Sequence, residues 1–83
     1  MAWNEKTALA LGEQIRARRR AASLSQEELA YKAGITKNQV QLIEAGRQSG
    51  RDTGRPSNPR MSTVVGLADG LGVRVSDLLN DLG

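Results

Sequence analysis

Apolar residues recur along this chain at intervals of three and four positions, the spacing of one face of an α-helix. In the first segment, Leu11, Ile15 and, less clearly, Ala22 follow this spacing. They predict a helix from about Thr7 to Ala22, preceded by an N-terminal arm over residues 1–8. The opposite side of this helix carries four arginines: Arg16, Arg18, Arg19 and Arg20.

Two capping boxes mark the next two helices. Ser25 and Glu28 form the pattern S-x-x-E, in which each residue satisfies a backbone N–H of the other at a helix start. The helix that follows places Leu29, Ala30 and Ala33 on one side. Gly34 comes next, where a left-handed residue ends a helix without a clash at Cβ.

A third helix is predicted directly after this turn, because Thr36 and Gln39 form a second capping box. Val40 and Ile43 are spaced to face the core, and Gly46 marks the end of the helix. The outer face is shared by Lys37, Asn38, Gln41 and, in part, Leu42.

The segment from Gly46 to Ser57 repeats the tetrapeptide G-R-x-S/T three times. It contains no apolar residue, so we expect neither a packed helix nor a strand, and its regular glycines favour flexibility. We call residues 46–60 the basic loop.

Two more helices are predicted after the basic loop. The fourth begins either at Asn58-Pro59, which resembles a cap followed by proline, or at Ser62. Its apolar face is formed by Val64, Val65, Leu67, Ala68 and Leu71. Gly66 and Gly70 weaken it by about 1 kcal/mol each relative to Ala. The fifth helix is short, near residues 75–82, with an apolar side of Leu78, Leu79 and Leu82.

Composition narrows the classes of function. The 83 residues suffice for one domain with a modest core. The absence of Cys and His removes disulfides, thiolate metal sites and the commonest general base. We therefore expect no catalytic site, metal or cofactor; the acids Asp69, Asp77 and Asp81 are interpreted as solvated faces and caps. No apolar stretch is long enough to cross a membrane, so the protein is expected to be cytoplasmic.

Charge and aromatic content favour duplex nucleic acid as the partner. Residues 45–60 carry four arginines against one aspartate, whereas residues 61–83 carry one arginine against three aspartates. This asymmetry indicates one surface that meets an anion and one that does not. Trp3 and Tyr31 are the only aromatic residues, too few for a stacking platform that binds single strands.

The segment from Ser25 to Arg47, SQEELAYKAGITKNQVQLIEAGR, resembles the helix-turn-helix of the Cro and phage-repressor family, also called the xenobiotic-response-element family. Two helices that cross steeply need a small residue at the contact and a glycine at the corner, here Ala30 and Gly34. The resemblance covers nearly the whole chain outside residues 1–8. It implies one all-α domain over residues 1–83, a five-helix bundle whose third helix enters the major groove.

The family resemblance also implies the contacts with DNA. Asn38 and Gln41 carry amides able to pair with adenine, Lys37 suits guanine or a phosphate, and Leu42 suits a thymine methyl group. Gln26 matches the family position that binds a backbone phosphate. The full predicted set of DNA-binding residues is Gln26, Thr36, Lys37, Asn38, Gln41, Leu42, Arg47, Arg51 and Arg55.

The basic loop departs from the family, which needs only a few residues between its third and fourth helices. Arg47, Arg51 and Arg55 are predicted to follow phosphates or to enter a narrow minor groove. The alternative is a hydrophilic insertion with no contact to DNA. Arg19 and Glu44 match family positions that form an ion pair, which we predict to be structural rather than functional.

The sequence leaves two alternatives for the function and two for the assembly of the protein. The main hypothesis is a transcriptional regulator, a repressor that binds double-stranded DNA. The second is a protein-interaction module with the same fold, either an antitoxin that binds a toxin or a regulator that binds polymerase. The apolar C-terminal side either closes the core or supports a homodimer, in which paired third helices fit half-sites about 34 Å apart.

Overall fold

The structure is a computed structural model that describes residues 3–48, 55–80 and 82. These residues form five α-helices, which confirms the predicted all-α class. The helices are α1 (Glu5–Ala21), α2 (Gln26–Ala33), α3 (Lys37–Glu44), α4 (Met61–Leu71) and α5 (Val75–Leu79). Helix α2 packs against both α3 and α4, while α1 packs against α3 and, less extensively, against α4 and α5. The bundle therefore holds α3 between α1 and α2.

Helix α1 begins earlier than its apolar spacing predicts. Asn4 caps it by accepting the backbone N–H of Thr7 at 3.1 Å, and the Thr7 hydroxyl accepts the N–H of Asn4 at 2.7 Å. The arm predicted over residues 1–8 is thus wrong for residues 5–8, which form the first helical turn and bury Thr7 and Ala8. Asn-x-x-Thr forms a reciprocal cap of the same kind as Ser-x-x-Glu, because each of its two side chains supplies an oxygen acceptor.

The turn between α2 and α3 has the predicted chemistry. Ser25 and Glu28 form the first capping box, and Thr36 and Gln39 form the second. Gly34 adopts the left-handed conformation at φ 73°, as expected for the residue that ends α2. Both capping boxes and the position of the turn are therefore confirmed.

The start of α4 differs from both predicted alternatives. The cap residue is Arg60, and no side chain accepts the first backbone N–H groups. The N–H of Ser57 donates to the carbonyl of Gly46 at 3.0 Å, and Asn58 and Pro59 lie between this contact and the helix. Asn58 therefore does not cap α4, and Ser62 lies within its first turn.

The glycines of α4 lie against α2. A Cβ at Gly66 would collide with the backbone carbonyl oxygen of Ala33, and one at Gly70 would lie 3.1 Å from Cβ of Lys32. Their expected cost in helix propensity is therefore offset by a close approach of the two helices.

The C-terminal leucines belong to the core. Leu78 is fully buried on α5, and Leu82 is 6% exposed although it lies beyond the helix, which ends at Leu79 instead of the predicted Leu82. A turn bond from the N–H of Leu82 to the carbonyl of Leu79 carries the chain back onto the bundle. The core contains Leu11, Ile15, Leu29, Ala30, Val40, Ile43, Val64, Leu67, Ala68, Leu78 and Leu82.

Within the described part of the chain, no helix is long and apolar enough to span a membrane. The same residues contain no group of three or more His, Cys, Asp or Glu side chains that could hold a metal ion.

Candidate nucleic-acid interface

Helix α3 has one face in the core and one in solvent. Val40 and Ile43 are buried, as their spacing predicts, and anchor the helix against α1 and α2. On the other side the side chains of Lys37, Asn38 and Gln41 are exposed, and Leu42 is half-buried. The residues predicted to contact base edges are thus brought together on one accessible helix face.

Thr36 has a structural task at the start of this face. Its hydroxyl accepts the backbone N–H of Gln39 at 3.1 Å, while Oε1 of Gln39 accepts the N–H of Thr36 at 2.9 Å. The box fixes the first turn of α3 and hence the direction of Lys37 and Asn38. A contact between Thr36 and DNA stays a prediction.

A buried ion pair joins α3 to α1, as predicted from the sequence. Nε of Arg19 donates to Oε2 of Glu44 at 2.7 Å, and Nη2 of Arg19 donates to Oε1 at 3.1 Å. The side chain of Glu44 is fully buried, whereas that of Arg19 is 12% exposed. Arg19 also donates through Nη1 to the carbonyl oxygen of Leu24 at 2.9 Å, so the pair fixes the connection between α1 and α2 as well.

Two further donors complete the environment of Glu44. Oε1 of Glu44 accepts a hydrogen bond from Nε2 of Gln26 at 3.1 Å and another from Nε of Arg16 at 3.4 Å. Gln26 was predicted only as a phosphate contact, and Arg16 only as part of an exposed arginine-rich side. Sequence spacing did not indicate either contact, because Glu44 lies 18 residues from Gln26 and 28 from Arg16. The phosphate contact of Gln26 stays a prediction.

The Glu44 carboxyl has a shifted pKa. Burial raises the pKa because it disfavours the charged form, but hydrogen bonds from Arg19, Gln26 and Arg16 and the charge of Arg19 lower it. The hydrogen bonds and charge prevail, so the pKa of Glu44 lies below its ordinary value. The hydrogen bond from Glu44 correspondingly raises the pKa of Arg19. Both groups are therefore charged at neutral pH.

The two ends of the basic loop are paired. Arg47 and Pro56 form an isolated antiparallel bridge, and the N–H of Gln48 donates to the carbonyl of Arg55 at 3.2 Å. The described residues of the basic loop form neither a helix nor a strand, as expected, because this pairing is an isolated bridge between backbone groups. Arg51, the third predicted arginine, lies outside the described residues.

Residues 47–48 and 57–60 of the basic loop line a common groove of about 490 Å³ with α3 and the start of α4. Arg47 lies on the groove wall and is exposed; Arg55, at the other loop end beside the groove, is exposed as well. The groove also contains polar residues that were not predicted to bind DNA, among them Gln39, Asn58, Arg60 and Ser62. In the sequence, Arg60 was considered only as part of the charge of residues 45–60. The signal that pointed to the groove was its position at the end of the basic loop, next to the start of α4. The basic loop thus extends the polar surface of α3.

A family model described as "Helix-turn-helix domain" matches residues 10–82. The chain belongs to this helix-turn-helix family. A comparison with curated proteins finds no match.

Solved structures similar to this helix-turn-helix protein are those of gene regulators. The restriction-modification controller protein C.AhdI from Aeromonas hydrophila is 28% identical, with a TM-score of 0.72, and the match covers 86% of this chain and 94% of that one. The biofilm master regulator SinR in complex with DNA is 29% identical, with a TM-score of 0.65, and coverage is 83% and 97%.

The P22 c2 repressor bound to a synthetic operator is 25% identical, with a TM-score of 0.63 and coverage of 83% of this chain and 91% of that chain. The resemblance to phage repressors inferred from the Ser25–Arg47 motif is confirmed. The family comprises regulators of transcription and not enzymes.

Proposed function

We propose that this helix-turn-helix protein is a sequence-specific regulator of transcription, a repressor that binds operator DNA with α3 in the major groove. The observation that carries the proposal is the two-sided character of α3. Its inner face is fixed by Val40, Ile43 and the buried carboxylate of Glu44, while its outer face presents exposed amide and ammonium groups. A rigid helix with free donors and acceptors suits direct readout of base edges. SinR and the P22 c2 repressor, similar in fold and sequence, have been solved with DNA.

Loss of a base contact is expected to reduce specific binding only. Duplexes bound by the protein should first be selected from a random pool, which defines the preferred site. Gln41→Ala and Asn38→Ala should then each weaken binding to that site about tenfold, since a bidentate contact supplies about 1–3 kcal/mol of discrimination.

Binding of the same variants to an unrelated duplex should be unchanged, because that binding depends on phosphates. Asn80→Ala removes an exposed amide outside α3 and serves as the matched control. A pool that emerges without enrichment would contradict operator recognition altogether.

The basic loop is proposed as a second DNA contact. Arg47 and Arg55 are exposed at paired loop ends beside the groove that α3 also lines. Arginines at such a place can neutralise phosphates on either side of the major groove, whatever the base sequence.

Replacement of Arg47, Arg51 and Arg55 by Ala is expected to flatten the dependence of log affinity on log salt concentration. The slope should fall by about 0.9 for each phosphate contact that is lost, because fewer counterions are released on binding. Titrations of DNA with the protein at several salt concentrations, from low to physiological, measure this slope. The variant with three lysines at these positions keeps the charge and should keep the slope. An alanine variant with the slope of the wild type would exclude the loop from the interface.

We further propose that the protein acts as a homodimer in the cytoplasm. A cytoplasmic homodimer would place two copies of α3 on half-sites about 34 Å apart, and the selected duplexes would then be palindromic. Because Leu78 and Leu82 are buried within one chain, a dimer must use other surfaces than these two side chains.

The alternative function is a module that binds another protein, such as a toxin or polymerase. A specific reason to retain it is that a chain from a SinR/SinI protein complex is 28% identical, with a TM-score of 0.69; the match covers 86% of this chain and 61% of that chain. Gel shifts with the purified protein and excess competitor DNA distinguish the two functions. Specific binding that requires an added partner protein would favour the alternative.

A further inference from the structure

The N-terminal segment contacts the basic loop through one side chain. Nε1 of Trp3 donates to the carbonyl oxygen of Ser57 at 2.7 Å, across 54 positions in the sequence. The short distance indicates a well-formed hydrogen bond. Trp3 is the only tryptophan of the chain, and 36% of its surface is exposed. Its indole thus makes this hydrogen bond at the surface of the protein and is not enclosed by the core.

Ser57 is the point at which the loop rejoins the bundle. It is only 3% exposed, and its N–H donates to the carbonyl of Gly46 at 3.0 Å. The next pairing outward is the bond from Gln48 to the carbonyl of Arg55. The indole bond, the Ser57 bond and the Gln48 bond therefore form a continuous series from the segment before α1 to the loop ends that carry Arg47 and Arg55.

Among the described residues, the indole bond connects this series to the segment before α1, while the N–H groups of Gly46 and Arg47 bond to carbonyls of α3. The Ser57 and Gln48 bonds join one loop end to the other, so they close the loop without fixing it to the N-terminal segment. A loop that is fixed before it meets DNA loses less conformational entropy on binding than one that is ordered by the contact itself.

We propose that Trp3 is a positioning residue, which holds the base of the basic loop (Gly46, Gln48, Arg55 and Ser57) in place and so increases the affinity of Arg47 and Arg55 for DNA. The effect on affinity rests on the proposed function of the loop; the effect on the loop base does not. Trp3 itself need not touch DNA.

Amide hydrogen exchange tests the effect on the loop base. In Trp3→Phe, which keeps an aromatic ring but lacks the N–H donor, the amides of Gln48 and Ser57 should exchange about three to ten times faster, the loss expected for one hydrogen bond. The amides of Ile35 and Val40, bonded within the helix-turn-helix, should exchange as before. Unchanged rates at Gln48 and Ser57, or equal acceleration at all four amides, would overturn the proposal.

A double-mutant cycle tests the effect on affinity. Trp3→Phe is combined with alanine at Arg47, Arg51 and Arg55, and binding to the selected duplex is measured for the four proteins. We expect about three- to tenfold weaker binding from Trp3→Phe with the native loop, and no further loss in the alanine loop. Equal losses in both loops, or no loss in either, would overturn the positioning of the arginines.

The two proposals fail in different ways. If the alanine loop keeps the wild-type salt slope while Trp3→Phe still accelerates exchange at Gln48 and Ser57, the DNA contact of the loop is wrong and the anchoring by Trp3 stands. If the alanine loop flattens the slope while Trp3→Phe changes neither exchange nor affinity, the loop contact stands and the role of Trp3 is wrong.

Discussion

Replacement of Glu44 by Gln is expected to lower the free energy of unfolding by about 3–5 kcal/mol, the usual cost of breaking a buried ion pair. The change leaves the guanidinium of Arg19, only 12% exposed, without its charged partner. For a domain of this size each kcal/mol corresponds to roughly 4–8 °C in Tm. Thermal unfolding followed by circular dichroism should therefore show a fall of more than about 12 °C.

The matched control is Glu13→Gln on the exposed side of α1. It removes the same charge by the same chemical change, and its effect should stay within about 0.5 kcal/mol. If Glu44→Gln and Glu13→Gln have the same Tm, the Arg19–Glu44 pair does not stabilise the fold.

The pH dependence of stability provides a second measurement on the same variant. Because the pKa of Glu44 is lower in the folded protein than in the unfolded chain, its contribution is present above the unfolded value of about 4.3. That contribution decreases as the pH falls from this value through the folded pKa. The difference in stability between the wild type and Glu44→Gln should thus be largest near neutral pH and decrease below about pH 4. A difference that stays constant into acid would contradict the lowered pKa.

The second large effect is expected from Gly66→Ala, at about 2–3 kcal/mol of destabilisation. Helix propensity alone favours alanine by about 1 kcal/mol, but its Cβ would meet the carbonyl oxygen of Ala33. A backbone carbonyl in a packed helix cannot rotate away as a side chain can, so α2 and α4 must separate. Urea unfolding should show a lower midpoint with an unchanged slope.

Gly70→Ala on the same helix is the natural comparison. Its Cβ would lie 3.1 Å from Cβ of Lys32 and 3.2 Å from Cδ1 of Leu29, so a shift of a few tenths of an ångström between the helices relieves the contact. The propensity gain then offsets most of the cost, and stability should change by less than about 1 kcal/mol. If Gly66→Ala is as stable as Gly70→Ala, the close contact between α4 and Ala33 is wrong.

The helix-turn-helix was predictable because its signals are local. Each capping box needs only two side chains three residues apart, and Gly34 needs only a left-handed backbone at the end of α2. The exposed face of α3 followed from helical spacing, and the Arg19–Glu44 pair from the family motif.

Errors arose where distant residues determine the local structure. The start of α4 resembled a cap at Asn58-Pro59 or at Ser62, yet the cap residue is Arg60, close to the point where Ser57 bonds to the distant Gly46. The roles of Gln26 and Arg16 were incomplete for the same reason, since both converge on a carboxylate from another helix. Spacing along the chain carries no information about such convergence.

The sequence by itself determined the five helices, the turn at Gly34 and the outer face of α3, because periodicity, caps and a left-handed glycine act over a few residues. Only the tertiary structure decided that Gln26 and Arg16 also donate to Glu44, that Gly66 lies against Ala33 and that Trp3 bonds to Ser57. The physical reason is that burial and hydrogen bonding between helices depend on how the elements pack, and a one-dimensional pattern does not specify their mutual approach.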